Sequence, residues 1–213
     1  MFPSEAHPMK PTKYAVIDTE SSGLFDFAKP ADAEGQPRLA SLGIIMLRED
    51  LSVMAEHDFL VKPEGWQMTP EATAVNGLTT EHLLANGEPI GAILQRYSTL
   101  VKEGFVIVTF NAQFDTKVMR GELRRAGMPD LFEQTPNVCL MRACTNVVRV
   151  PKKTGSGYKW PKLSEACAFF KIEQPAAHSA IGDTRSAHAI LLELHKAGLL
   201  PEPEVHFAKN RPV

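Results

Sequence analysis

The stretch Tyr14-Ala15-Val16-Ile17-Asp18-Thr19-Glu20-Ser21-Ser22-Gly23 decides how the chain is read. Four residues of strand character run into two carboxylates set two apart, and a glycine-bearing turn follows at once. Alternate residues of a strand point to one face. Asp18 and Glu20 therefore project side by side from the end of a buried strand. Two like charges so placed repel and resist desolvation unless a cation or a proton compensates them.

The composition bounds what can do this. A chain of 213 residues fills one core or two small ones, and 44% apolar with 23% charged residues is ordinary for a soluble globular protein. A net charge of −2 excludes polyanion binding by bulk electrostatics, so nucleic-acid affinity would need a local patch or a metal. Cys139, Cys144 and Cys167 form no C-x-x-C pair and read as three reduced thiols. The N-terminus carries Glu5 and Lys10 with prolines 3, 8 and 11, and lacks the apolar core of a signal peptide. No window approaches the roughly 18 apolar residues that span a bilayer. The expectation is a cytoplasmic protein with no membrane partner.

Outward from the first strand, Phe25 to Arg38 reads as an exposed loop. Leu42 to Leu47 and His57 to Val61 read as strands, which with Tyr14 to Ile17 make an antiparallel meander. Thr69-Pro70-Glu71 opens a short helix, with Thr as N-cap and Pro in the first turn. Thr80 starts a second, and Ile90 to Val101 repeats at helical spacing until Gly104. Phe105 to Phe110 is a continuous apolar run, as in a strand covered on both faces. Asn111 to Phe114 reads as a turn and Asp115 as the start of a helix. Asn137 to Thr145 reads as a short strand, Arg149 to Lys162 as a loop. Leu163 to Phe170 and Ala187 to Leu194 mark the last helices. This order predicts one α/β domain, a mixed sheet with helices on its faces, over residues 13–198. An arm (1–12) and a tail (199–213) flank it.

Two further acids sit at conspicuous joints. Asp115 follows the most buried strand, and Asp183 opens the last helix five residues after His178. Each acid alone reads as a cap or a ligand, and His178 alone as a surface or packed histidine or a functional one. Together, four carboxylates without clustered Cys describe an oxygen-only site. That suits Mg²⁺ or Mn²⁺ rather than zinc. Such a site can hold two cations ~3.5–4 Å apart.

Ile17 to Leu24, then Phe110-Asn111-Ala112-Gln113-Phe114-Asp115, then His178-Ser179-Ala180-Ile181-Gly182-Asp183 resemble the three exonuclease motifs of the DEDD superfamily. The five-residue gap from His178 to Asp183 resembles its histidine-containing branch, which includes polymerase proofreading subunits, ribonuclease T and oligoribonuclease. Val75-Asn76-Gly77-Leu78-Thr79 is similar to the family's (I/V)-x-G-(I/L)-T stretch, so the resemblance runs from about Lys13 to Leu194.

The resemblance implies a ribonuclease H-like fold with a mixed five-stranded sheet and helices on both faces. It implies hydrolysis of the terminal phosphodiester at a 3′ end, releasing nucleoside 5′-monophosphates. Asp18 would bridge two cations, Glu20 and Asp183 would hold the tighter one, and Asp115 would help hold the second. His178 would be the general base. Ser22 and Gly23 would bring backbone N–H groups to the terminal sugar. Leu24 would either wedge against the terminal bases or fill the core. Asn111 and Phe114 would contact the strand, or cap and pack.

The partner implied is a single-stranded nucleic acid with a free 3′ end. A polymerase or repair partner and a homodimer are further states that the family contains. DNA and RNA stay equally open. Arg149, Lys152, Lys153, Lys159 and Lys162, interleaved with Tyr158 and Trp160, suit a single strand or a solvated loop. Lys117, Arg120 and Arg124 on one helix face would extend that patch.

The chain departs from the family at Leu39-Ala40-Ser41-Leu42-Gly43, where many relatives carry Glu in an I-E-I-G stretch. Two readings compete with a metal-dependent exonuclease. One is a nucleic-acid-binding or polymerase-associated module with little catalysis, the other a phosphodiesterase for short oligonucleotides.

Overall fold

A computed structural model describes residues 13–174 and 176–205; the proposed arm lies outside them. Strands β1 (Tyr14–Ser21), β2 (Leu39–Leu47) and β3 (Val53–Leu60) form the expected meander, and β4 (Val106–Thr109) and β5 (Asn137–Cys139) complete one sheet. The order is β3-β2-β1-β4-β5. The β1–β2 and β2–β3 pairs are antiparallel, whereas β1–β4 and β4–β5 are parallel. The mixed five-stranded sheet is thus as the resemblance implies.

Strand alternation divides the core in two. Val16, Ile45, Val106 and Val108 face one way, against α5 (Leu140–Val148), α6 (Leu163–Phe170) and α7 (Ala180–Lys196). Ala15, Ile17, Ile44 and Ile107 face the other, against α3 (Ile90–Lys102) and α4 (Ala112–Arg125). Helix α1 (Pro70–Asn76) is capped as read, by Thr69 Oγ1 accepting from the Ala72 N–H, and α2 (Thr80–Asn86) starts at Thr80 as read, with Thr79 Oγ1 accepting from the His82 N–H. Among the described residues no helix is long and apolar enough to cross a membrane. Cys139, Cys144 and Cys167 are buried and unpaired.

Three expectations change, and a fourth is refined. The segment 137–145 is a strand only to Cys139, and a helix follows. Leu140, Met141 and Cys144 are buried, with Val147 and Val148 packed beside them. That spacing is helical, and the β-branched residues disguised it. Helix α4 begins at Ala112, so Asp115 lies in its first turn rather than at its start. Helix α7 likewise begins at Ala180, with Ser179 Oγ accepting from the Gly182 N–H.

The segment 25–38 is the expected loop, exposed from Asp26 to Pro30, but it is docked through Phe25, Ala31 and Gln36, which are buried. Gln36 Oε1 accepts from the Asp26 N–H, while its Nε2 donates to the carbonyls of Asp26 and Pro30. The end of the segment is clamped by Arg38, which binds the buried Glu122 carboxylate through Nε (2.7 Å) and Nη2 (2.9 Å). Beyond α7, Glu204 exchanges backbone hydrogen bonds with Asn137 on the β5 edge (2.9 and 3.0 Å).

Gly43 sets the approach of α7. It lies opposite Asp18, and a Cβ there would sit 2.6 Å from the Ala180 carbonyl oxygen and would also strike Thr184 Oγ1. Gly43→Ala is therefore expected to destabilise the protein by about 1–3 kcal/mol. Urea melts check this; an unchanged midpoint would show that α7 shifts freely.

Candidate active site

Three structural joints meet at one end of the sheet. Strand β1 pairs with β4 only through Val16, so at Asp18 the two parallel strands have parted. The chain leaves β4 into α4 on one face, and α7 begins on the other. Strand β1 stands between an antiparallel and a parallel neighbour, and such a topological break in an α/β sheet leaves a crevice at its strand ends.

Asp18 and Glu20 project from β1 toward the α7 side. One carboxylate oxygen each from Asp18, Glu20 and Asp183 lies within 4.8 Å of the others. Asp115 approaches from the α4 side and stands outside that trio. It is 2% exposed, and its Oδ1 accepts hydrogen bonds from the Thr19 N–H (3.0 Å) and Thr19 Oγ1 (2.8 Å). The same three residues thus serve both faces: Asp18 and Glu20 point one way, and Thr19 between them holds the fourth acid from the other. Neither Asp115 nor Asp183 is a helix cap; the cap positions belong to Asn111 and Ser179.

The electrostatics follow from this crowding. Burial, then the charges of Asp115, Asp183 and Glu20, hold Asp18 well above the usual carboxylate range. Burial raises Glu20 to about 7, against an opposing hydrogen bond from Asn76. Burial raises Asp115 to about 7 despite its bonds from Thr19. Asp183 is raised by burial and partly relieved by His178. Asp183 Oδ1 is a buried acceptor with no partner among the described residues. An oxygen-only set that resists ionising, with an orphaned carboxylate oxygen, fits a hard divalent cation.

His178 lies on an exposed turn just before α7 with a left-handed backbone, φ +63°. Such a conformation in a residue other than glycine is uncommon and clusters at functional sites. Ser22 is engaged within the protein: its N–H donates to the Arg38 carbonyl, its Oγ accepts from the Arg38 N–H, and its carbonyl accepts from the Thr69 N–H. Ser22 therefore shapes the turn, and its N–H is not open to a sugar as expected. Gly23 has neither a positive φ nor a tight neighbour, since a Cβ there would meet Thr69 Cγ2 at 3.5 Å. Leu24 is 90% exposed, so it is not a core residue. Asn111 stands at the α4 cap position without a side-chain cap bond. Phe114 packs edge-on against Phe25, with ring centroids 5.8 Å apart.

The basic candidates fare differently. Arg120 and Arg124 both bind Asp130, at 2.7 and 2.8 Å. Lys117 donates to the carbonyls of Asp26 and Lys29, and Lys159 is paired with Glu165 at 2.6 Å. The expected α4 extension of the patch is thus tied up by carboxylates and carbonyls. Tyr158 and Trp160 remain exposed, and the Arg142 guanidinium lies 5.7 Å from the Trp160 ring.

Sequence reading passed over Thr19 and Asn76. Thr19 was legible in principle, because the residue between two same-face acids must point to the opposite face. Asn76 reaches Glu20 and the Ser21 carbonyl only through the fold.

Comparison with known proteins bears on the family and the fold. The model of the RNase T exonuclease family matches residues 15–191. Among solved structures, E. coli Exonuclease I in complex with a dT13 oligonucleotide superposes with TM-score 0.70 at 22% identity, over 86% of this chain and 41% of that one. The nuclease domain of 3′hExo, a DEDDh family member bound to rAMP, does so with TM-score 0.70 at 13% identity, over 92% and 98%. The chain thus spans less than half the length of Exonuclease I, and these likenesses show the fold alone. No curated protein matches the chain. Because the family match spans residues 15–191, through all four acids and His178, and the fold gathers the acids at one strand end, the chain belongs to the RNase T exonuclease family.

Proposed function

We propose that the chain is a 3′→5′ exonuclease that hydrolyses the terminal phosphodiester of single-stranded nucleic acid to nucleoside 5′-monophosphates. The observation that carries this reading is the Asp18–Glu20–Asp183 cluster, whose oxygens lie within 4.8 Å of one another. Two divalent ions, Mg²⁺ or Mn²⁺, would be held by Asp18, Glu20 and Asp183, with Asp115 as the fourth acid beside them. Bound there, they would lower the pKa of a water and offset charge developing on the phosphate.

The chain's own residues do the rest. Thr19 fixes the Asp115 carboxylate. His178 takes the proton of the attacking water from an exposed turn beside Asp183. Gly23 has no need of glycine within the protein, which suits close approach of the terminal sugar to the backbone. Leu24, with its side chain in solvent, suits contact with the terminal base, and Asn111 faces the same strand end.

A panel of 3′-labelled DNA and RNA strands with Mg²⁺ or Mn²⁺ tests the reading. Labelled mononucleotide should be released, and EDTA should stop the release. Activity undiminished in EDTA, or oligonucleotide binding with no turnover in either metal, would overturn it in favour of a binding module. A length series from dinucleotide upward separates an exonuclease from a phosphodiesterase confined to short oligonucleotides.

Thr19→Val keeps shape but removes the Oγ1 donor to Asp115. Loss of such a supporting bond to a ligand typically costs about 10–100-fold in activity or metal affinity. We expect that loss in the nucleotide-release rate with the melting curve little changed, and Thr19→Ser should restore most of it.

A further inference from the structure

Immediately after the acid-bearing strand the chain exposes two large apolar side chains, Leu24 at 90% and Phe27 at 51%. Exposed apolar surface on a mobile loop would mean little, but this loop is held from several sides. Gln36 binds its backbone from within. Lys117 donates to the carbonyls of Asp26 (3.2 Å) and Lys29 (2.8 Å). Arg125 donates to the Ala31 carbonyl at 3.0 Å. Phe25 is buried edge-on against Phe114, which adjoins Asp115.

Phe27 is therefore presented, not merely uncovered. The Lys117 ammonium lies 4.9 Å from its ring centroid, and Phe25 is 6.3 Å away. A cation and a ring fix Phe27 from the protein side, and half of it stays open to solvent. The charges of the region point the same way. Arg120 and Arg124 share Asp130 and pair further with Glu133 and Asp32, and the net charge of the chain is −2. A strand held near α4 meets mostly paired charges apart from Lys117, so base stacking, which is sequence-tolerant, is a source of affinity open to it.

We propose that Phe27 is a stacking platform for an unpaired base upstream of the 3′-terminal nucleotide, continuous with Leu24. The proposal rests on the exonuclease reading for the direction of the strand. Phe27 then favours single strands over paired ends, because a base in a duplex offers no free face without unstacking. Lys117 and Gln36 are the positioning residues that keep the ring outward.

The test uses the full chain. In an Asp18→Ala background, Phe27→Ala should bind a fluorescent dT octamer roughly tenfold more weakly by anisotropy, the scale of one lost base–aromatic stack. Phe27→Trp should bind at least as well as Phe27. In the active enzyme, the ratio of kcat/KM for the octamer over that for p-nitrophenyl thymidine 5′-monophosphate, which has no upstream base, should fall roughly tenfold with Phe27→Ala. Octamer binding within twofold of the parent overturns the proposal and leaves the patch to a protein partner. If the chain hydrolyses neither substrate but octamer binding still depends on Phe27, the exonuclease reading fails and the platform stands.

Discussion

Asp18→Asn is expected to leave the metal-free protein more stable and almost inactive. In the folded chain Asp18 shares one strand end with Glu20, Asp115 and Asp183, and burial with their charges holds its carboxyl well above the usual range. At pH 8 its ionised form is therefore disfavoured in the folded state relative to the unfolded one. Asparagine keeps the shape and removes the charge. Relief of one poorly compensated buried group is worth about 1–3 kcal/mol, and urea melts in EDTA should show a gain of that order. Nucleotide release from a 3′-labelled strand should fall on the order of 10³-fold, as when a preorganised electrostatic group is removed from an active site. Opposite signs for stability and activity are the signature. A destabilised variant, or one that keeps its rate, would show that Asp18 is a structural acid.

The second large effect is on the pH dependence of stability. Glu20 and Asp115 hold their protons to about 7 in the folded chain, against ordinary values of 4.5 and 3.8. Between those limits these two groups bind more protons in the folded state than in the unfolded one, so their contribution to metal-free stability falls as pH rises from about 4 and levels off above about 7. At about 1.4 kcal/mol per unit, each group contributes at most roughly 3–4 kcal/mol. A divalent cation replaces those protons, and its binding must release them. Thermal melts at pH 5 and pH 8, in EDTA and in millimolar MnCl₂, check both parts. EDTA melting temperatures should be lower at pH 8, and Mn²⁺ should raise them far more at pH 8 than at pH 5. Equal Mn²⁺ shifts at the two pH values would place the cation away from these acids.

Much of the architecture was legible because local rules and burial agree along most of the chain. Thr69-Pro70 and Thr79-Thr80 start helices as their cap chemistry dictates, and the apolar run through Val106 lies fully buried between two helical layers. Reading failed where propensity and packing disagree. Thr145, Val147 and Val148 favour a strand, yet Leu140, Met141 and Cys144 bury a helical stripe. Asp26, Lys29 and Asp32 read as solvent-facing loop residues and are exposed, but the loop is nonetheless anchored. The interactions that dock that loop come from Gln36 within it and from Lys117 and Arg125 on a helix far along the chain.

The sequence by itself singled out the candidate groups: the strand-end pair Asp18 and Glu20, and Asp115 and Asp183 at two later joints. Period-two alternation settles that the first two share a face, since that is a property of one strand. What only the tertiary structure decided is how the other acids reach them. Asp183 comes close because Gly43 lets α7 lie against β2 opposite Asp18. Asp115 arrives from the opposite face and is held by Thr19, 96 residues away in sequence. The same structure withdrew Arg120, Arg124 and Lys159 from the basic patch and turned Leu24 into solvent. Whether a charge or an apolar side chain is free depends on what packs beside it, and that is set by contacts between distant segments.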